Sequence, residues 1–382
     1  MALRDHDIVL FGATGFTGSL TARHLGAHAP AGLRWALAGR DPGRLEQVRA
    51  GLPTPVPVLI ADSADRASLD AIARSARVVA TTVGPYTLHG AQLVAACAEA
   101  GTDYVDLTGE PEFIDRTYLD HHERAVGTGA RLVHACGFDS IPYDLGVQHA
   151  MEVLQPDGTV RVDGYVRFGG SVSGGTLASM MTAFSRLGHS ARTARERRRA
   201  QPHPSDRRIR IATDRPGRAE GGWVLPFPSV DPQVVARSAA ALPEYGPDFT
   251  YSHHVQTKGL LPAIGLAAGA MSLVAAAQTG PTRRAVLRRI PAGEGPSAQK
   301  RAASWFSVRF VATCGTRRVV TQVSGGDPGY GETAKMLGES ALCLAGDPVP
   351  AVGGQLTTAV AMGALLRQRL VARGIQFDVI EG

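Results

Sequence analysis

The chain has 382 residues, 44% of them hydrophobic and 19% charged, which fits an ordered globular protein of two domains and excludes a disordered one. Its net charge of +6 is modest for that length; it suits an acidic ligand or partner, and no nucleic-acid partner is expected. The four cysteines, Cys97, Cys136, Cys314 and Cys343, stand far apart without a C-x-x-C, which argues against a metal site and against a disulfide framework.

In chain order, the first predicted strand is the apolar run at 7–11, and it leads straight into Gly12-Ala13-Thr14-Gly15-Phe16-Thr17-Gly18. The first glycine allows a sharp turn off the strand, the second lets a pyrophosphate approach the backbone, and the third lets the next helix pack closely. The helix predicted from about Thr17 to Leu25 then points its N-terminal amides at the phosphates. Because the chain enters a strand within a few residues, no signal peptide is expected, and a reducing, cytoplasmic setting follows.

Further apolar runs at 34–38, 56–60, 78–82, 104–107 and 131–135 read as strands with helices between them. Asp41-Pro42 has the form of an N-cap followed by proline at the first helical position, and Ser63 and Asp65 are further caps. Six strands alternating with helices predict an α/β, Rossmann-type doubly wound parallel sheet with its ligand at the carboxyl edge. The second strand ends in Arg40, where an NAD-binding chain carries an acid for the ribose; arginine suits the 2′-phosphate of NADP(H), while Asp41 remains available as a ribose acid. Asp62, just past the third strand, is placed to contact the adenine or to serve as a cap. The fourth strand ends in Thr82-Val83-Gly84-Pro85-Tyr86, a tight loop expected under the nicotinamide ribose, with Tyr86 and His89 near the hydride-transfer position. Gly137-Phe138-Asp139-Ser140-Ile141-Pro142-Tyr143 follows the sixth strand at the same edge, and two polar loops converging on one cleft define a candidate site.

After Pro142 the rhythm changes. Longer strands at 160–168, 208–213, 249–257, 304–312 and 317–324 predict a second α+β domain with a mixed or antiparallel sheet. Between 186 and 218 lies an arginine-rich stretch, including Arg195, Arg197, Arg198, Arg199, Arg207, Arg208 and Arg210, which reads as a solvated face or as a dock for an acidic carrier or lipid surface. Residues 259–277 carry no charge, with Lys258 before them and Arg283, Arg284, Arg288 and Arg289 after, and read as a buried or interfacial helix. The interfacial reading brings peripheral contact with the inner face of the plasma membrane. The last helices, at about 332–345 and 354–373, end at a Gly374 cap. The expected domains are 1–145, 146–330 and a C-terminal 331–382 packing back on the first.

Several chemistries are excluded. No tyrosine has a lysine four residues on, and the lysines are only Lys258, Lys300 and Lys335, so the short-chain dehydrogenase mechanism has no residues. G-x-S-x-G, H-E-x-x-H and a Walker lysine are also missing.

The Gly12–Gly18 turn, Ala38-Gly39-Arg40, Val83-Gly84-Pro85-Tyr86 with His89-Gly90, Tyr104–Glu110 and Gly137–Tyr143 together resemble the saccharopine dehydrogenase-like family. Gly326-Asp327-Pro328-Gly329-Tyr330-Gly331-Glu332-Thr333-Ala334-Lys335-Met336 is similar to its trans-acting enoyl reductase branch from mycobacteria and related actinobacteria. That resemblance covers nearly the whole chain and implies an NADPH-binding domain, a mixed second domain, and reduction of an acyl intermediate carried by a polyketide synthase or acyl carrier protein. Hydride delivery to an enoyl β-carbon needs a donor to the enolate and a proton at the α-carbon, for which Tyr86, His89 and Tyr143 are the candidates. Competing expectations are an imine or ketone oxidoreductase on a small substrate, and a non-catalytic NADP-binding protein at a membrane. A homodimer is a further open expectation.

Overall fold

The computed structural model describes residues 4–170, 174–201, 206–288 and 295–382; Arg289 lies outside the described residues. Strands β1 (His6–Phe11), β2 (Trp35–Gly39), β3 (Val58–Ile60), β4 (Ala76–Thr81), β5 (Asp103–Asp106) and β6 (Arg131–Val133) form a parallel sheet in the order β6-β5-β4-β1-β2-β3. The helices between and after them are α1 (Phe16–His28), α2 (Pro42–Ala50), α3 (Arg66–Ser75), α4 (Tyr86–His89), α5 (Ala91–Ala100), α6 (Pro111–Thr128) and α7 (Ile141–Leu154). Helices on both faces explain why these strands read as continuous apolar runs. In β1, Ile8 and Leu10 enter one buried cluster and Val9 and Phe11 the other, as the two-residue period of a strand requires. The caps are local: the Asp41 carboxylate accepts from Arg44 N at 3.0 Å, and Asp65 accepts from Ala67 N at 3.1 Å.

The second sheet takes β7 (Thr159–Gly169), β8 (Arg208–Ala212), β9 (Gly217–Ala219), β10 (Gly222–Pro226), β11 (Asp248–Thr257), β12 (Trp305–Cys314) and β13 (Arg317–Gly325). It is mixed: β11 pairs in parallel with β7 and with β8, and the other pairings are antiparallel. Helix α7 lies across it so closely that a methyl on Gly146 would stand 2.3 Å from the Phe310 ring. The helices of this half are α8 (Gly174–Ser185), α9 (Leu187–Ala200), α10 (Asp231–Ala241), α11 (Leu260–Ala277), α12 (Gly280–Leu287) and α13 (Ala298–Ala302).

The C-terminus serves both sheets. Helix α14 (Gly331–Gly346) packs along α1, where the buried Glu339 meets His24 at 2.8 Å. The segment expected as one helix over 354–373 is instead β14 (Gly354–Leu356), α15 (Thr358–Ala361) and α16 (Gly363–Ala372). Strand β14 extends the first sheet beside β6, and an unanticipated β15 (Gln376–Glu381) closes the second beside β13. Gly374, at φ +88°, ends α16. Arg373, the C-cap of α16, and Arg369 within it reach Glu339 at 2.9 and 3.2 Å. One buried cluster runs without a break from β1 through α7 to the second sheet and α14.

Candidate functional site

The three glycines of the first turn are required for different reasons. Gly12 has φ +87°, and a methyl there would stand 2.7 Å from Val83 Cγ2. A methyl on Gly18 would stand 2.2 Å from the Gly12 carbonyl oxygen, so the helix cannot approach the strand with any side chain at 18. Gly15 is unlike both: its φ is −73°, and a methyl there would meet nothing nearer than Gly12 O at 3.4 Å. The protein's own packing does not demand glycine at 15; the close approach of a ligand would. As N-cap of α1, Gly15 offers no side-chain acceptor, and the amides of Phe16, Thr17 and Gly18 have no acceptor among the described residues. Thr14 is half-buried, while Ala13 is fully buried and bonds Ala38 O. These features fit a dinucleotide pyrophosphate.

Arg40 leaves the end of β2 beside this turn, exposed and with no side-chain partner among the described residues. Asp41 is engaged as the α2 cap, its carboxylate accepting from Arg44 N. Asp62 spends Oδ1 on the Ala64 amide at 2.9 Å in a turn, so it serves as a local cap.

The β4 loop is bound to the turn by Thr82 Oγ1, which donates to Gly12 O at 3.0 Å, and by Val83. Gly84 and Pro85 lead into α4. Its first amides, Tyr86 N and Thr87 N, both donate to the buried Glu110 carboxylate at 2.9 Å, and Ser179 Oγ of α8 donates to it at 2.8 Å. Glu110 thus joins the ends of β4 and β5 to the second domain. Sequence reasoning missed this role; the acid directly before Pro111 at a helix start was the available signal. Tyr86 requires correction as a proton donor. Its ring is buried, its hydroxyl donates to Thr81 O at 3.2 Å, and it accepts from Leu107 N at 3.1 Å. His89 is exposed at the end of α4.

After β6, Asp139 Oδ2 lies against Gly109 of the β5 loop; a methyl on Gly109 would stand 2.8 Å from it. Asp139 is half-buried and its carboxyl has no hydrogen-bond partner among the described residues. Behind it, the fully buried Asp231 accepts from Ser140 Oγ at 3.2 Å and Ser229 Oγ at 2.6 Å. Burial pushes both carboxyls above the usual range, and for Asp231 the neighbouring Asp139 adds to the push. His253 stands 3.6 Å from Asp231 and is pushed down to about 3, chiefly by burial, so it is neutral. Tyr143 is the second correction. It lies under this cluster with its ring edge-on to His253, and its hydroxyl is buried without a partner among the described residues. Asp139 is the group that sequence reasoning passed over.

The 326–336 motif forms a clasp over these loops. Thr333 Oγ1 accepts from Phe138 N at 3.1 Å, and the Tyr330 ring meets Phe16 of the glycine turn edge-on at 4.8 Å. The Arg301 guanidinium covers the same Phe16 ring at 5.3 Å.

The arginine-rich stretch is largely engaged internally. Arg197 is buried against Asp115 at 3.1 Å and over the Tyr118 ring at 4.1 Å, Arg207 bonds backbone carbonyls, and Arg210 pairs with Asp248 at 2.6 Å. A cavity of about 510 Å³ between α6 and α9 is lined by Arg116, Arg186 and Arg192, each already paired with Glu112 or Glu196. Among the described residues, Arg195, Arg199, Arg208, Arg215 and Arg218 of the stretch are exposed and have no side-chain partner, and the exposed Arg198 donates only to Ala194 O at 3.3 Å. Among the described residues, no three His, Cys, Asp or Glu side chains gather as a metal site, and all four cysteines are buried and unpaired.

Residues 8–133 match the saccharopine dehydrogenase NADP-binding domain. Trans-acting enoyl reductases from Mycobacterium tuberculosis and Mycobacterium ulcerans are 39% and 38% identical, in each case over 98% of this chain and 97% of theirs. The Mycobacterium leprae trans-acting enoyl reductase is 38% identical over 97% of both chains. Among solved structures, saccharopine dehydrogenase (L-Glu forming) from Saccharomyces cerevisiae aligns over 98% of this chain and all of its own, with a TM-score of 0.55 at 11% identity, a likeness of fold.

Proposed function

The chain belongs to the trans-acting enoyl reductase family of saccharopine dehydrogenase-like proteins, and on that footing we propose that it reduces a carrier-bound α,β-unsaturated acyl chain, using NADPH, for a polyketide synthase that builds a complex lipid. The observation that carries the reading is the glycine turn whose middle glycine the protein itself does not need, with Arg40 at the end of the next strand and Asp139 after β6, neither side chain having a partner among the described residues. Bound there, NADPH would supply the hydride for the β-carbon. The Phe16–Gly18 amides would hold the pyrophosphate, Arg40 would hold the 2′-phosphate, and the Thr82–Pro85 loop would wall the nicotinamide end.

The chain must still deliver a proton to the α-carbon and stabilise the enolate oxygen. Asp139 is suited to the first task. It lies at the carboxyl edge, keeps its proton to a higher pH than an exposed carboxyl would, and has Asp231 behind it as a second acid that cannot ionise freely alongside it. Ser140 and Ser229 fix Asp231. His89, exposed on α4, is the donor available at the rim for the enolate oxygen. Each turnover consumes one hydride and one proton and converts one carbon–carbon double bond to a single bond.

The test is to titrate the purified protein with NADPH and with NADH by nicotinamide fluorescence, then add a 2-enoyl thioester, free and on an acyl carrier protein. Preferential NADPH binding followed by thioester-dependent loss of fluorescence is expected. Tight NADPH binding with no oxidation by either form of the thioester would overturn enoyl reduction.

A further inference from the structure

Helix α11 is left uncovered by the described residues. Of its 18 residues only Ala263 and Ala277 are buried, while Leu261 is 81%, Met271 73% and Ile264 54% exposed. At 1.5 Å per residue this is an apolar rod about 27 Å long. Soluble monomers rarely leave so continuous an apolar surface in water. We propose that α11, with the cations at its two ends, is a docking face for an anionic lipid surface.

Charge selects that occupant. From Lys258 to Arg289 the sequence holds five cations (Lys258, Arg283, Arg284, Arg288 and Arg289) and no acid, in a chain whose whole net charge is +6. A second copy of the chain seated on the same face would bring like charges together at both ends of the helix. An anionic bilayer instead meets apolar side chains with its acyl boundary and the flanking cations with its headgroups.

The helix lies along such a surface and does not cross it, because both ends are tied to the folded body. At the start, α11 follows directly from β11, a strand inside the second sheet, with Thr257 Oγ1 donating to Gly259 O at 2.9 Å. At the end, Gln278 Nε2 donates to Phe184 O of α8 at 2.9 Å. Helix α8 also connects the face to the chemistry. It packs on α11, and its Ser179 holds Glu110 at the cleft. Lipid docking at α11 therefore backs onto the loops of the proposed site, where a lipid-building reductase needs its long-chain substrate. The docking itself does not rest on the reductase reading.

The experiment is flotation of the full chain with vesicles of phosphatidylglycerol and phosphatidylethanolamine, and with neutral phosphatidylcholine vesicles, at low and high salt. The wild type is expected to float with anionic vesicles and to lose at least tenfold in bound fraction at high salt. Leu261→Glu with Met271→Glu, both on the exposed side, should abolish flotation, and Lys258→Glu with Arg283→Glu and Arg284→Glu should do the same while leaving the apolar face intact. NADPH titration of each variant reports that the fold is retained. Flotation unaffected by either set of substitutions would overturn the assignment. So would failure of the wild type to float, whether it proves to be a dimer split by Leu261→Glu or a monomer. Either result leaves NADPH binding and turnover to be judged separately.

Discussion

Replacing Gly15 by serine should move stability and cofactor affinity in opposite directions. Gly15 already has backbone angles open to any residue, φ −73° and ψ 165°, and its nearest obstacle to a Cβ is at 3.4 Å. A serine hydroxyl there would accept from the orphan amides of the first turn of α1, a gain of a few tenths of a kcal/mol over glycine at an N-cap, roughly. The same hydroxyl occupies the amides that a pyrophosphate needs. Losing one hydrogen bond to a charged group costs about 1.5–3 kcal/mol, or roughly 10- to 100-fold in Kd. Gly18→Ala is the contrast, because its methyl would stand 2.2 Å from a backbone oxygen and must displace the turn; overpacking of this kind costs about 1–3 kcal/mol. The assays are thermal unfolding without cofactor and fluorescence titration with NADPH. Gly15→Ser is expected to hold or raise Tm while weakening NADPH, and Gly18→Ala to lower Tm. Wild-type NADPH affinity in Gly15→Ser would refute the phosphate role of the turn, and an equal loss of Tm in both variants would refute the separation of packing from binding.

Arg40→Ala should weaken NADPH by roughly 10- to 100-fold through loss of a charged contact and leave NADH unchanged; equal losses for both nucleotides would remove the 2′-phosphate contact. Asp139→Asn should lower kcat at least tenfold with the Kd for NADPH intact. Because the wild-type carboxyl is pushed up, wild-type activity should fall as pH rises through that raised range, and the variant's residual activity should lack this limb; a retained limb would move the proton donor elsewhere. Glu339 is subject to burial, which acts to raise it, yet hydrogen bonds from His24, Arg373 and Arg369 hold it at about 2. A depressed carboxyl contributes stability that is complete above its ordinary value of 4.5 and is lost as pH falls toward 2. Glu339→Gln should therefore be less stable by about 3 kcal/mol at neutral pH, with the gap narrowing in acid. Urea midpoints that differ by the same amount at pH 6 and pH 3 would contradict that account.

What was legible in the sequence is what short stretches of chain decide alone. The β1–turn–α1 unit, the Asp41-Pro42 cap and the long strands of the second sheet rest on glycine spacing, local capping and alternation, all contained within a dozen residues. Strands β14 and β15 were not legible. Each is short, and each is extended because a distant partner, Arg131–Val133 or Thr321–Ser324, pairs with it. The site divides in the same way. The turn of Gly12, Gly15 and Gly18 and the place of Arg40 at the end of β2 follow from position along a known kind of unit. Loop position located Tyr86 and Tyr143 near the cleft but not the direction of their rings, and both rings face inward. The pairing of Asp139 with Asp231, and the reach of Ser179 to Glu110, join residues from different domains, so no local pattern announces them.

The two C-terminal strands also set the order in which this protein can be made. Domains commonly fold as units from the N-terminus while synthesis continues. Here the edge beside β6 waits for residues 354–356, and the edge beside β13 waits for residues 376–381. The β6 edge therefore stays open for most of translation and the β13 edge for its last stretch, each a template for pairing with a neighbouring chain. A truncation that removes β14 and β15 would reach both halves of the protein at once and act first on yield and solubility, with the glycine turn near the start of the sequence still intact.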